Sequence, residues 1–148
     1  MTGDISSSPS SQATSFATAK WTAWHPQFLS LLRIVVGFLF IFPGTMKLFA
    51  FPEGMPPDGG TAPFMTQMWI GGMLEVFGGG LILIGLFTRP VAFILAGEMA
   101  VAYFQFHAPN GFLPIQNGGG EAALYCFVFF YLSAAGAGPW SLDALRRR

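Results

Sequence analysis

Arg33, Lys47, Glu75, Glu98 and Glu121 are charged residues set within long apolar runs. An ionisable group inside a bilayer costs roughly 2.5–3.5 kcal/mol on insertion scales, so such groups face a bundle interior, pair with one another and mark working sites. Only 9% of the 148 residues are charged, so the placement of these five is informative. Two cations stand against three carboxyls. The extra carboxyl predicts a held proton or an unseen ligand that supplies a cation or hydrogen bonds.

Helical geometry sorts these groups by face. Arg33, Gly37, Phe40, Gly44 and Lys47 share one face of a first helix, where glycines let a second backbone approach closely. Gly71, Glu75, Gly78 and Gly79 share a face of a second. Glu98, Ala102 and Gln105 line up on a third, and Glu121 and Tyr125 lie one turn apart on a fourth. Depth sorts them further. Measured from the turn at Thr88-Arg89, Glu75 and Glu98 both lie roughly 15–20 Å deep, near the midplane of a bilayer. Arg33 falls nearer the inner surface, and Lys47, Glu121 and His107 nearer the outer one. The expectation is a polar seam across the bundle, with Glu75 and Glu98 as proton-handling groups and Arg33, Lys47, Glu121 and Tyr125 as ligand contacts.

The elements that must hold these groups follow from hydropathy. Apolar segments at about 28–51, 64–87, 90–107 and 121–137 are each close to the ~20 residues that cross a hydrocarbon core as a helix. This predicts an all-α, four-helix transmembrane bundle. Residues 1–25, rich in Ser, Thr and Ala, read as a disordered cytoplasmic tail without the apolar core of a signal peptide. Residues 26–143 read as the membrane domain and 144–148 as a basic cytoplasmic tail. Lys20, Arg89 and Arg146-Arg147-Arg148 fall on one side, which places both termini in the cytoplasm. Trp21, Trp24 and Trp140 are expected at the inner interface and Trp69 at the outer one.

Several chemistries are excluded or disfavoured. Formal net charge is zero and no basic patch with interleaved aromatics occurs, so nucleic acid is not an expected partner. Cys126 is the sole cysteine, so the chain holds no dithiol relay. His25 and His107 fall at opposite surfaces, roughly 30 Å apart, and cannot jointly ligate a haem within one chain. No metal site is expected, with Glu121 and His107 as the remaining alternative. Gly78-Gly79-Gly80 and Gly118-Gly119-Gly120 lack the lysine and preceding strand of a phosphate loop.

Six short stretches occur in order: Leu32-Arg33-Ile34, Gly44-Thr45-Met46-Lys47-Leu48, Glu75-Val76-Phe77-Gly78-Gly79, Gly85-Leu86-Phe87-Thr88-Arg89, Asn117-Gly118-Gly119-Gly120-Glu121 and Gly138-Pro139-Trp140-Ser141-Leu142-Asp143. Together they make the sequence from about 28 to 143 resemble the DoxX family. The resemblance implies a four-helix protein of the bacterial inner membrane. It also implies links to quinone-coupled sulfur oxidation, to detoxification of quinones and catechols, or to complexes that resist oxidative stress. The family's recurring polar positions map onto Arg33, Lys47, Glu75 and Glu121. Gly120 departs from the usual Asn-Gly-Gly-Glu pattern by adding a third glycine. Three functions stay open. The first is an accessory subunit or enzyme of quinone-linked redox chemistry, with a membrane quinone as the ligand and a redox partner protein or flavin as the electron source. The second is a carrier of protons or small solutes. The third is an assembly protein without chemistry. The glycine faces serve intrachain packing or a homo-oligomer equally well.

Overall fold

The computed structural model describes residues 9–147, with side chains from Thr22 onward. Helix α1 runs Pro9–Phe49, α2 Gln67–Ile84, α3 Thr88–Ala102, α4 Gly120–Ala135 and a short α5 Leu142–Leu145. A π-helical turn, Tyr103–His107, and a 3-10 turn, Ala108–Asn110, extend α3. Three of these helical stretches are long and apolar enough to cross a membrane: Thr22–Phe49, Gln67–Ile84 and Thr88–Asn110. The fourth, Gly120–Ala135, is apolar but has 16 residues and so spans about 24 Å. Gly136, at φ 88°, stops it before the expected end.

The boundary expected at residue 25 has no counterpart in the backbone, because α1 is continuous from Pro9. Proline suits a first helical position, and no glycine interrupts residues 10–36. Of the expected tail, residues 1–8 lie outside the described residues, as do the side chains of Lys20 and Trp21 and all of Arg148.

Consecutive helices run antiparallel, with α1 packed on α2, α2 on α3 and α3 on α4. The α1–α2 contact is close because glycines face it. A methyl group on Gly37 would lie 2.6 Å from the Leu83 amide nitrogen, and one on Gly44 would lie 2.8 Å from the Gly72 carbonyl. Between the two helix pairs sits a core of Val36, Phe40, Ile82, Leu95, Phe129 and Leu132. The outward surface is the reverse of a water-soluble one: Phe77, Phe93, Phe104 and Phe127 are each 62–73% exposed. A surface of this composition contacts the lipid bilayer.

The two ends differ. At the end where α2 and α4 finish, the chain is stitched by its C-terminal segment. Thr66 caps α2 through its own Oγ1, but α3 has no such residue before it. Asp143 fills that role from α5, accepting from the Phe87 and Thr88 amides at 2.9 Å each. Burial pushes the Asp143 carboxyl up, but these backbone hydrogen bonds, together with the Thr88 side chain and the charge of Arg147, outweigh it and hold the group below its ordinary value. At the opposite end, residues 50–66 and 111–119 form the longer connections.

Candidate functional site

Lys47 and Glu75 form an ion pair at 2.5 Å between Nζ and Oε1. Lys47 lies near the end of α1, level with Gly72, whose missing side chain lets the Lys47 Cβ approach. From there the lysine reaches about one turn along α2 to a glutamate at mid-helix, roughly 12 Å from the first residue of α2. The Glu75 side chain is only 3% exposed. Glu98 enters from α3, and its Oε1 lies where a methyl group on Gly71 would sit 3.3 Å away. Glycines at 44, 71 and 72 therefore make the space in which one ammonium and two carboxyls meet.

These groups form the inner end of a cleft of about 560 Å³ between α2 and α3. Its walls are mainly apolar, with Ile70, Leu74, Ile94 and Val101 among them, and these same residues are exposed on the outer surface. The cleft thus opens sideways, toward lipid. Gln67 and Gln105 hydrogen-bond across its rim. His107 lines it near the loop end and is held by a contact of 3.2 Å between its Nδ1 and the Asn117 carbonyl. Asn117 is in turn fixed by bonds to the Gly111 carbonyl and the Gly119 amide, at 2.8 Å each. One oxygen of each acid, Glu75 Oε2 and Glu98 Oε2, is buried without a hydrogen-bond partner among the described residues.

The structure brings three of the six expected site residues together: Lys47, Glu75 and Glu98. Tyr125 packs instead against Phe40 and Phe129, with ring centroids 5.0 and 5.9 Å away. Glu121 is exposed in the first turn of α4. Arg33 is fully buried but meets no carboxylate among the described residues. Its guanidinium donates to four carbonyls: Ala137 at 2.9 Å, Ile82 at 2.5 Å, Leu83 at 2.6 Å and Trp140 at 2.5 Å. The expected seam across the bundle is therefore corrected. Arg33 spends its donors on carbonyls left open at the end of α2 and in the segment after α4. The core around Phe40, Ile82 and Leu95 separates it from Lys47.

Gln67 and His107 line the cleft, yet sequence reasoning did not place them there. Nine ideal α-helical steps rotate His107 by about 180° from Glu98. The π turn rotates less per residue and carries the imidazole back toward the glutamate's side. Such turns recur at functional sites, but no residue type in Tyr103–His107 announces one.

Residues 28–108 match the DoxX family. The chain is 45% identical over 123 residues to an uncharacterized protein of Haemophilus influenzae, covering 81% of this chain and 91% of that one. It is 27% identical over 134 residues to an uncharacterized membrane protein of Mycobacterium tuberculosis, covering 80% of each. No solved structure matches. The family match takes in α2, α3 and the part of α1 that bears Arg33 and Lys47, and so includes all three residues gathered in the cleft: the chain belongs to the DoxX family of membrane proteins.

Proposed function

We propose that this protein binds a quinone-like ring from the bilayer and exchanges protons with it, as an accessory subunit or enzyme of quinone-linked redox or oxidative-stress chemistry. The observation that carries this reading is the lipid-facing cleft whose apolar walls end on Lys47, Glu75 and Glu98. An apolar body with polar atoms at one end fits such a space, and clefts of about 300–1,000 Å³ take ligands of that size. Lys47 and Glu75 hold the polar end. Glu98, with one oxygen unpartnered, is the group free to take or give a proton. A bound quinone supplies two-electron chemistry. The sequence has no dithiol and no histidine pair for haem, so electrons come from a partner protein or a flavin. In this reading the protein lies in the bacterial inner membrane with both termini in the cytoplasm, and the cleft opens in the outer half.

A proton or solute carrier is the weaker reading. Its path would continue past Glu75 to the other end of the bundle, where Phe40, Ile82, Leu95 and Phe129 fill the core. The deciding experiment is mass spectrometry of small molecules that copurify with the intact protein. The expected result is a lipid-soluble ring compound that is lost from Glu75→Gln. No such compound, together with no binding of an added short-chain quinone, would overturn the proposal.

A further inference from the structure

Every polar group lining the cleft can be sorted by what it still has to offer. The donors are partly engaged. Lys47 Nζ gives one of its three N–H groups to Glu75 Oε1. The Gln67 amide gives one of its two to Gln105. A carbonyl only accepts, so the contact with Asn117 puts the proton of a neutral His107 on Nδ1 and leaves Nε2 as an acceptor. Two carboxyl oxygens are not engaged. Glu75 Oε2 and Glu98 Oε2 are both buried without a partner, and the Glu75 side chain is 97% buried. A buried acceptor left without a donor costs about 1–3 kcal/mol, and more when charged.

A ligand that relieves this cost brings hydrogen-bond donors on an apolar body. An oxidised quinone has two carbonyl oxygens and no donor, so it leaves both orphaned carboxyl oxygens without a partner. Its reduced form has two O–H groups, one for each orphaned carboxyl oxygen. We infer that Glu75 and Glu98 make the cleft selective for the reduced, doubly hydroxylated form of its ring ligand over the oxidised form. This rests on the quinone reading above and adds a redox-state preference set by two named carboxyls.

The test is equilibrium binding to the full chain in detergent micelles, under anaerobic conditions, by titration calorimetry. Three probes are compared: a decyl-substituted benzoquinone, its two-electron-reduced diol, and the dimethyl ether of that diol, which keeps the ring and loses both O–H groups. The expected order is the diol at least about tenfold tighter than either other probe, as for a site built to bond a hydroxyl. Glu98→Gln adds an amide donor and narrows the gap to less than about threefold, chiefly by improving affinity for the oxidised form. Equal affinities, tighter binding of the oxidised form, or an ether that binds like the diol would overturn the selectivity and leave the quinone reading standing. Failure of all three probes to bind would overturn the quinone reading itself. The three-probe comparison uses the unaltered protein, so it decides the question even if Glu98→Gln does not fold.

Discussion

The Lys47–Glu75 pair joins two groups that would each be costly alone. Lys47→Met leaves Glu75 buried without its cation, which costs about 3–5 kcal/mol by analogy with broken buried pairs. The paired change Lys47→Met with Glu75→Leu removes both charges and is expected to recover most of that loss. Thermal unfolding in micelles compares the three proteins, and a double variant no more stable than Lys47→Met would refute the account. Arg33 behaves differently. Its four carbonyl partners lie in two separate segments, and a lysine ammonium cannot span them as the planar guanidinium does. Arg33→Lys should therefore destabilise by about 2 kcal/mol or more despite keeping the charge. The charges and glycines of the site were legible in the sequence, because an ionisable residue in an apolar run demands a reason. The partner of Arg33 was not legible, because counting charges pairs cations with acids and overlooks backbone carbonyls at helix ends.

Among the elements, the glycine faces of α1 and α2 were read correctly from their spacing, and they set how near Lys47 comes to Glu75. Gly37→Ala would drive a methyl group to 2.6 Å from the Leu83 nitrogen and 3.0 Å from the Gly79 carbonyl. Neither backbone atom can swing aside, so the helices must part, at a cost of about 1–3 kcal/mol. The same unfolding measurement should register this loss. The junction of α3 and α5 gives a pH signature. Asp143 has a folded-state value below its unfolded one, so its contribution is full above the unfolded value and is lost as pH falls through the folded value. Melting temperature should drop through that acidic range, and Asp143→Asn should flatten the drop; an unchanged slope would exclude the cap as its source. Helix existence was legible from hydropathy, since four apolar segments became four helices. Local departures were not. Thr88-Arg89 begins α3 two residues before the expected start, since Asp143 supplies a cap from far along the chain. The π turn depends on packing that no local pattern encodes.

At the scale of the whole molecule, composition pointed to a membrane protein and the lengths of the apolar segments to helices, and the helical structure with its apolar exterior agrees with both. Sidedness is a prediction. Arg89, Arg146 and Arg147 share the end where α2 and α4 finish, which should face the cytoplasm. A green fluorescent protein fused after Arg148 should therefore fluoresce, while alkaline phosphatase at the same point should be inactive; the opposite pattern would invert the topology. The stitching of that end also fixes an order of events during synthesis. Arg33 leaves the ribosome more than a hundred residues before Ala137 and Trp140, two of its four acceptors. Until synthesis reaches Trp140, a cationic side chain in the first span lacks its full set of partners, and the hydroxyl of Ser30 lacks the Trp140 amide that it accepts from at 3.2 Å. The nascent chain is thus committed to the bilayer long before its first helix can settle, and a ribosome that stalls short of Trp140 releases a protein whose earliest segment is the one left open to quality-control proteases.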